Sequence, residues 1–179
     1  MKLKAPVAAA LILLAIAHGN AQTADAPLPM QFRAFTLGMN LDDLKTALQD
    51  DPYFAFRGDR DVSFLPLKEQ NLVESAGYNF IKRAFFQLKD AKVFIMAFSM
   101  NAEKVDHYSV YTAFVKKYGE PLSLNPREAV WESAQTRISI ERPLTVKYID
   151  RTVFDEIVAT ARAAESVNQE LKEDFLDDF

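Results

Sequence analysis

The residues able to do chemistry in this chain are few and widely spaced. Asp106 and His107 are adjacent, a pairing that makes a general base when it stands in a cleft with a nucleophile. No Gly-x-Ser-x-Gly elbow accompanies it, and the other histidine, His18, lies in the N-terminal leader, so the plainer reading is a helix residue facing away from Tyr108 and Tyr111. Arg57-Gly58-Asp59 spells an adhesion tripeptide, and Arg60-Asp61 follow it. Receptor binding, or a cation held by Asp59 and Asp61, competes with a charged turn in which Gly58 supplies a positive φ; the turn is favoured. Glu128 and Glu132 could form an acid–base pair, but a chain with 25 Asp+Glu makes chance pairs common. Tyr53, Phe54 and Phe56 stand beside Arg57 and Arg60 as a candidate binding patch, with packing over a sheet edge as the favoured alternative. Phe175, Leu176 and Phe179, set among Glu173, Asp174, Asp177 and Asp178, form a second candidate, an acidic interaction tail.

Composition removes whole classes of function. The 179 residues include no cysteine, which excludes disulfides, thiolate metal sites, a cysteine nucleophile and a lipid-anchoring N-terminal cysteine. Gly38, Gly58, Gly77 and Gly119 lie too far apart to cradle a phosphate. A formal net charge of -4 without a basic run argues against nucleic acid. No cofactor and no metal is expected.

The N-terminus reads as an export signal: Lys2 and Lys4, then an apolar run from Ala5 to Ala17, then small residues before a cleavage point after Ala21, with Ala26 as the alternative. That run is short of the ~20 residues a membrane-spanning helix needs, so no stable anchor is expected after cleavage. The expected location is the periplasm, with secretion as the alternative.

The expected domain plan is a signal peptide over 1–21, a disordered lead over 22–31, an α+β domain over 32–151, and a C-terminal helix with an acidic tail over 152–179. Within the domain, Asn40 caps a helix carrying Leu41, Leu44 and Leu48, which Pro52 ends. Residues 51–70 form a long structured loop with at most one edge strand. Residues 72–100 read as strands, with Tyr78 and Phe80 among the β-formers, a reversal at Leu88–Lys92, and Val93–Phe98 apolar on both faces as in a central strand. A helix over 101–118 carries Val105, Tyr108, Tyr111, Phe114, Val115 and Tyr118 and stops at Gly119. A strand around Trp131 follows, then a hairpin turning at Arg142-Pro143, then a helix from Thr152 to about Lys172 whose first half docks internally. The fold class is α+β: antiparallel sheet with helices on one face, in the order helix, strands, helix, strands, helix.

Two segments carry a resemblance. Phe35-Thr36-Leu37-Gly38-Met39-Asn40, leading into Leu41 and Leu44, resembles the opening of envelope modules of the β-lactamase-inhibitor-protein-like and BamE-like (SmpA/OmlA) kind. Phe114 to Pro121 followed by Trp131 is similar to a helix-to-strand junction of the same modules. The resemblance implies a tandem of two units, 32–100 and 101–151, and a binding role without a named partner. An uncharacterised exported family is an equal alternative. The function expected is a non-enzymatic periplasmic binding or envelope-assembly module whose partner is another envelope protein. The alternatives are a small apolar-ligand or lipid carrier and, behind it, a hydrolase.

Overall fold

A computed structural model describes residues 27–64 and 70–177 of the chain. The expected signal peptide, both cleavage positions and Phe179 lie outside the described residues.

The chain enters through two short strands, β1 (Gln31–Phe32) and β2 (Phe35–Thr36), and helix α1 (Leu41–Asp50). Asn40 caps α1 by accepting the Asp43 amide at 2.8 Å, and Asp42 and Asp43 sit in the positive first turn. Order begins earlier than the sequence pattern implies: Leu28 and Met30 pack against the core, and the Met30 carbonyl accepts the Leu37 amide at 2.8 Å.

Four strands follow: β3 (Val62–Phe64), β4 (Gln70–Ala76), β5 (Ile81–Lys89) and β6 (Lys92–Met100). Tyr78 and Phe80, expected in strands, instead occupy the exposed turn between β4 and β5. Aromatic β-propensity is a packing preference, and at a turn there is no neighbouring strand to pack against.

Helix α2 (His107–Tyr118) is shorter than the expected 101–118. The Asp106 carboxylate accepts the Ser109 amide at 2.9 Å and the Ser109 hydroxyl at 2.6 Å, which fixes the first turn there, while residues 101–105 turn around Asn101. Gly119 ends the helix at φ +79, a left-handed conformation that costs other residues energy. Its carbonyl accepts the Trp131 indole N–H at 2.9 Å, joining the helix end to the strand beneath.

Four more strands, β7 (Ser123–Leu124), β8 (Glu128–Glu132), β9 (Thr136–Glu141) and β10 (Thr145–Asp150), precede helix α3 (Arg151–Asp177). Strands β3 to β10 form one antiparallel sheet in the order β3-β4-β5-β6-β10-β9-β8-β7. Each half is a helix followed by a four-strand meander, and the halves meet along β6 and β10. The position of β6 beside the midline matches the two-sided apolar pattern of Val93–Phe98.

The register explains the core. Val73, Phe86, Met96, Tyr148, Ile138 and Trp131 stand opposite one another across six strands and share one face. Helix α1 covers one end of this face through Leu44 and Leu48, and α2 covers the other through Tyr111 and Phe114, whose rings lie 6.2 and 5.5 Å from Trp131. The opposite face carries Leu72, Phe85, Ile95 and Ile149 at its centre and ion pairs such as Lys147–Glu141 and Arg137–Glu128 on its flank. It is against this second face that α3 begins.

Candidate functional site

The aromatic loop belongs to the core. Phe54 is buried, its ring 5.1 Å edge-on to Phe35 and 6.4 Å from Phe98, and Tyr53 and Phe56 are half-buried against the same cluster. A charged clamp holds the segment down. The buried Asp51 carboxylate accepts Arg33 Nε at 2.6 Å and the Tyr53 amide at 2.9 Å, and the Arg33 guanidinium lies 4.5 Å over the Tyr53 ring.

Arg57, Gly58, Asp59, Arg60 and Asp61 form a compact turn, a 3-10 helix over Gly58–Asp61 with Gly58 at φ +75. Asp61 is buried and folds back on Arg57, accepting its amide at 2.9 Å and its guanidinium at 2.6 Å. Hydrogen bonding to Asp61 raises the Arg57 pKa. Asp59 pairs with Lys45 at 2.7 Å, which lowers its pKa. The two carboxylates are therefore committed to different cations, and neither faces a shared site. Arg60 is exposed. Among the described residues no cluster of His, Asp and Glu is arranged to hold a metal ion.

His107 lies where the sequence did not place it. It is half-buried and lines a surface depression of about 500 Å³ together with Tyr108, Tyr111, Leu124 and Arg142, on the same side as the tyrosines it was expected to oppose. The first turn of α2 brings it against the β9–β10 turn, a tertiary contact that helical periodicity does not encode. Burial, then the positive charge of Arg142, lower its pKa, while Asp106 acts the other way. The residues lining this depression include no serine, threonine or cysteine, and the Asp106 carboxylate is engaged by Ser109. The arrangement can bind through an aromatic and cationic surface. Glu128 and Glu132 both face Arg137, at 3.5 and 3.6 Å.

The largest departure from a closed fold is α3. It runs 27 residues, about 40 Å at the rise of an α-helix. Its first two turns touch the sheet: Val153, Ile157 and Val158 are half-buried, Glu156 pairs with Lys89 at 3.0 Å, and Arg151 donates to the Ser133 carbonyl at 2.7 Å. The expected internal docking of its first half thus stops at Val158, and every residue from Ala159 to Glu173 is exposed. Leu171 and Phe175 are each 61% exposed and Leu176 is 54% exposed. The helix also continues past Lys172, through the segment expected as a tail, to Asp177. No helix of the described residues is long and apolar enough to cross a membrane.

Beside the start of α3, Phe154 closes one side of a half-open depression of about 390 Å³ on the second sheet face. Leu72, Phe85, Ile95 and Ile149 form its floor and Lys147 stands at its rim. Sequence reading missed this site. The available signal was that Leu72, Phe85 and Ile95 fall on the strand positions opposite the core residues Val73, Phe86 and Met96.

The model of the TP0088 domain family matches residues 30–160, and the chain belongs to that family. No curated protein and no solved structure matches it. The matched region ends two residues beyond Val158, where α3 leaves the sheet.

Proposed function

We propose that this TP0088-domain protein is an exported, non-catalytic binding module of the bacterial envelope, and that α3 is the element it presents to its partner. The observation carrying this reading is the exposed apolar side of α3, where Val167 and Leu171, one turn apart, are each more than half exposed on a helix that leaves the sheet. A helix presenting one apolar face in this way is a common mode of protein recognition. The symmetric strand order, two meanders each preceded by a helix, supports reading the body as two divergent units of the BLIP-like and BamE-like kind, with residues 1–21 as the export signal.

The test is capture from envelope extracts at matched concentrations with the full chain, with a chain ending at Val158 and with Leu171→Glu. A protein retained by the full chain and lost from both variants is expected. Identical capture by all three would remove α3 from the account.

The depression under Phe154 favours a second reading, carriage of a small apolar ligand, because its floor is apolar and a lysine stands at its mouth. Native mass spectrometry of protein purified from its host tests it. A bound small molecule that Phe85→Trp displaces is expected on this reading, and an empty protein would sink it.

A further inference from the structure

We propose that Arg127 and Arg142 bind the phosphate of a phosphate monoester whose organic body lies over Tyr108 and Leu124. The surface lies on the side of the sheet that α2 covers, whereas α3 begins on the other, and it does not depend on the reading of α3.

Strand register makes the pair. Glu128 stands opposite Glu141 at the end of β8 and β9, and one residue further out the Arg142 amide donates to the Arg127 carbonyl at 2.9 Å. Like charges are thus set opposite one another twice in succession, which costs a sheet stability unless each charge finds a partner. The glutamates have theirs: Glu128 pairs with Arg137 at 3.5 Å and Glu141 with Lys147 at 2.6 Å. The arginines do not. Both are exposed, and among the described residues neither guanidinium makes an ion pair or a hydrogen bond.

Two hollows meet at this pair. Both arginines line a depression of about 850 Å³ together with Glu128 and Glu141, and Arg142 also walls the depression of about 500 Å³ that holds His107, Tyr108, Tyr111 and Leu124. The first offers two planar guanidinium groups. The second offers apolar cover, with Tyr108 75% and Leu124 63% exposed.

The chemistry of these groups selects the ligand. A guanidinium fork matches two oxygens of a phosphate, and two forks suit a dianion better than a single carboxylate. A bare phosphate would leave Tyr108 and Leu124 in water. A monoester keeps the double charge and carries a group that covers them. The amides at the start of α2 are not the seat of the anion, because the Asp106 carboxylate already accepts the Ser109 amide at 2.9 Å and its hydroxyl at 2.6 Å. That negative charge turns the phosphate toward Arg142 and Arg127.

Phenyl phosphate is the probe, with inorganic phosphate lacking the ring and benzoate lacking the second charge. Calorimetric titration of the full chain should rank phenyl phosphate above both. Arg127→Gln and Arg142→Gln should each weaken it about tenfold or more, the loss expected of a hydrogen bond to a charged group. Tyr108→Ala should bring it down to the level of inorganic phosphate. All three positions are exposed, so the urea midpoint should stay in place. His107 reports from inside the site: the positive charge of Arg142 is one cause of its lowered pKa, so phenyl phosphate should raise its NMR titration midpoint, and the rise should vanish in Arg142→Gln. Asp106, the other charged group acting on that ring, stays with Ser109 throughout. Phosphatidylcholine vesicles containing phosphatidic acid identify the source of the ester. Co-sedimentation that Arg142→Gln abolishes places it on a lipid, and protein left in the supernatant while phenyl phosphate binds places it on a soluble molecule. Phenyl phosphate that fails to bind, that binds both arginine variants as tightly as the parent chain, or that leaves the His107 midpoint unmoved at saturation would overturn the site.

Discussion

Replacing Phe54 with alanine separates a core role from a binding role for the aromatic loop. The ring is 6% exposed and lies edge-on to Phe35 at 5.1 Å and near Phe98 at 6.4 Å, so removing it leaves a cavity beside these two rings. Buried Phe→Ala changes cost about 3–5 kcal/mol. With a urea slope of about 2 kcal/mol/M for a domain of this size, the midpoint should fall by about 1.5–2.5 M. Phe54→Leu, which fills most of the space, should cost less than about 1.5 kcal/mol and guards against a variant too unstable to measure. The assay is the fluorescence of Trp131, the single tryptophan of the chain. It sits on β8, in the other half of the sheet, sealed by its bond to Gly119. A change at Phe54 moves that signal only if the two halves unfold together through β6 and β10, which pair from Thr145 opposite Ser99 to Ile149 opposite Ile95. A midpoint shift below about 0.25 M would refute the core placement, since a surface side chain costs no more than about 0.5 kcal/mol. An unmoved Trp131 transition alongside a shifted far-ultraviolet circular dichroism transition would instead refute the continuous core.

Four further outcomes follow from individual contacts. Asp51→Ala leaves Arg33 and the Tyr53 amide without their acceptor and should cost about 1–3 kcal/mol in the same urea assay. The Thr136 hydroxyl is buried and finds no hydrogen-bond partner among the described residues, so Thr136→Val should be neutral or stabilising, by up to about 1 kcal/mol; a clear loss would mean that the hydroxyl has a partner. His107 has a depressed pKa, so the fold favours the neutral ring: its contribution to stability is present above pH 6.5 and is lost as the pH falls through the folded pKa. Its NMR titration midpoint should therefore lie below 6.5, rise in Arg142→Gln and fall further in Asp106→Asn; a midpoint above 6.5 would contradict the burial. Ending the chain at Val158 should remove helical circular dichroism while leaving the stability of dilute protein in the urea assay within about 0.5 kcal/mol, because residues 159–173 are all exposed.

What the sequence disclosed was what local rules govern. Asn40 with Asp42 and Asp43, or Lys116 and Lys117 before Gly119, state a helix end in consecutive residues, and the alternation around Ile138 and Val146 states a hairpin. The start of α2 was misplaced because Asn101 and Asp106 are both able caps, and only the bonds from Ser109 choose between them. The place of Phe54 was undecidable locally, since a loop aromatic beside arginines looks alike whether it packs down or stands out; the deciding contacts, Phe35 and Phe98, lie 19 and 44 positions away. The depression on the second sheet face was invisible for the same reason, being assembled by register across β4, β5, β6 and β10 from residues that each read as ordinary strand formers.

Helix α3 poses the remaining physical question, because a long exposed helix must be held by something. Isolated helices are marginal in water below about 12–15 residues and rely on tertiary packing even when longer. From Ala159 to Glu173 every residue of α3 is exposed, and its acidic end opposes its own dipole. The alanines at 159, 161, 163 and 164 lend it intrinsic propensity, but Val167, Leu171 and Leu176 gain nothing from water. If docking on a partner supplies the missing support, backbone amides beyond Val158 should exchange hydrogen fast in the purified protein and slowly in the captured complex, while those of the sheet stay slow in both. Amides beyond Val158 that exchange as slowly in the purified protein as in the complex would show that the helix holds without a partner, and the coupling between folding of α3 and docking would have to be given up.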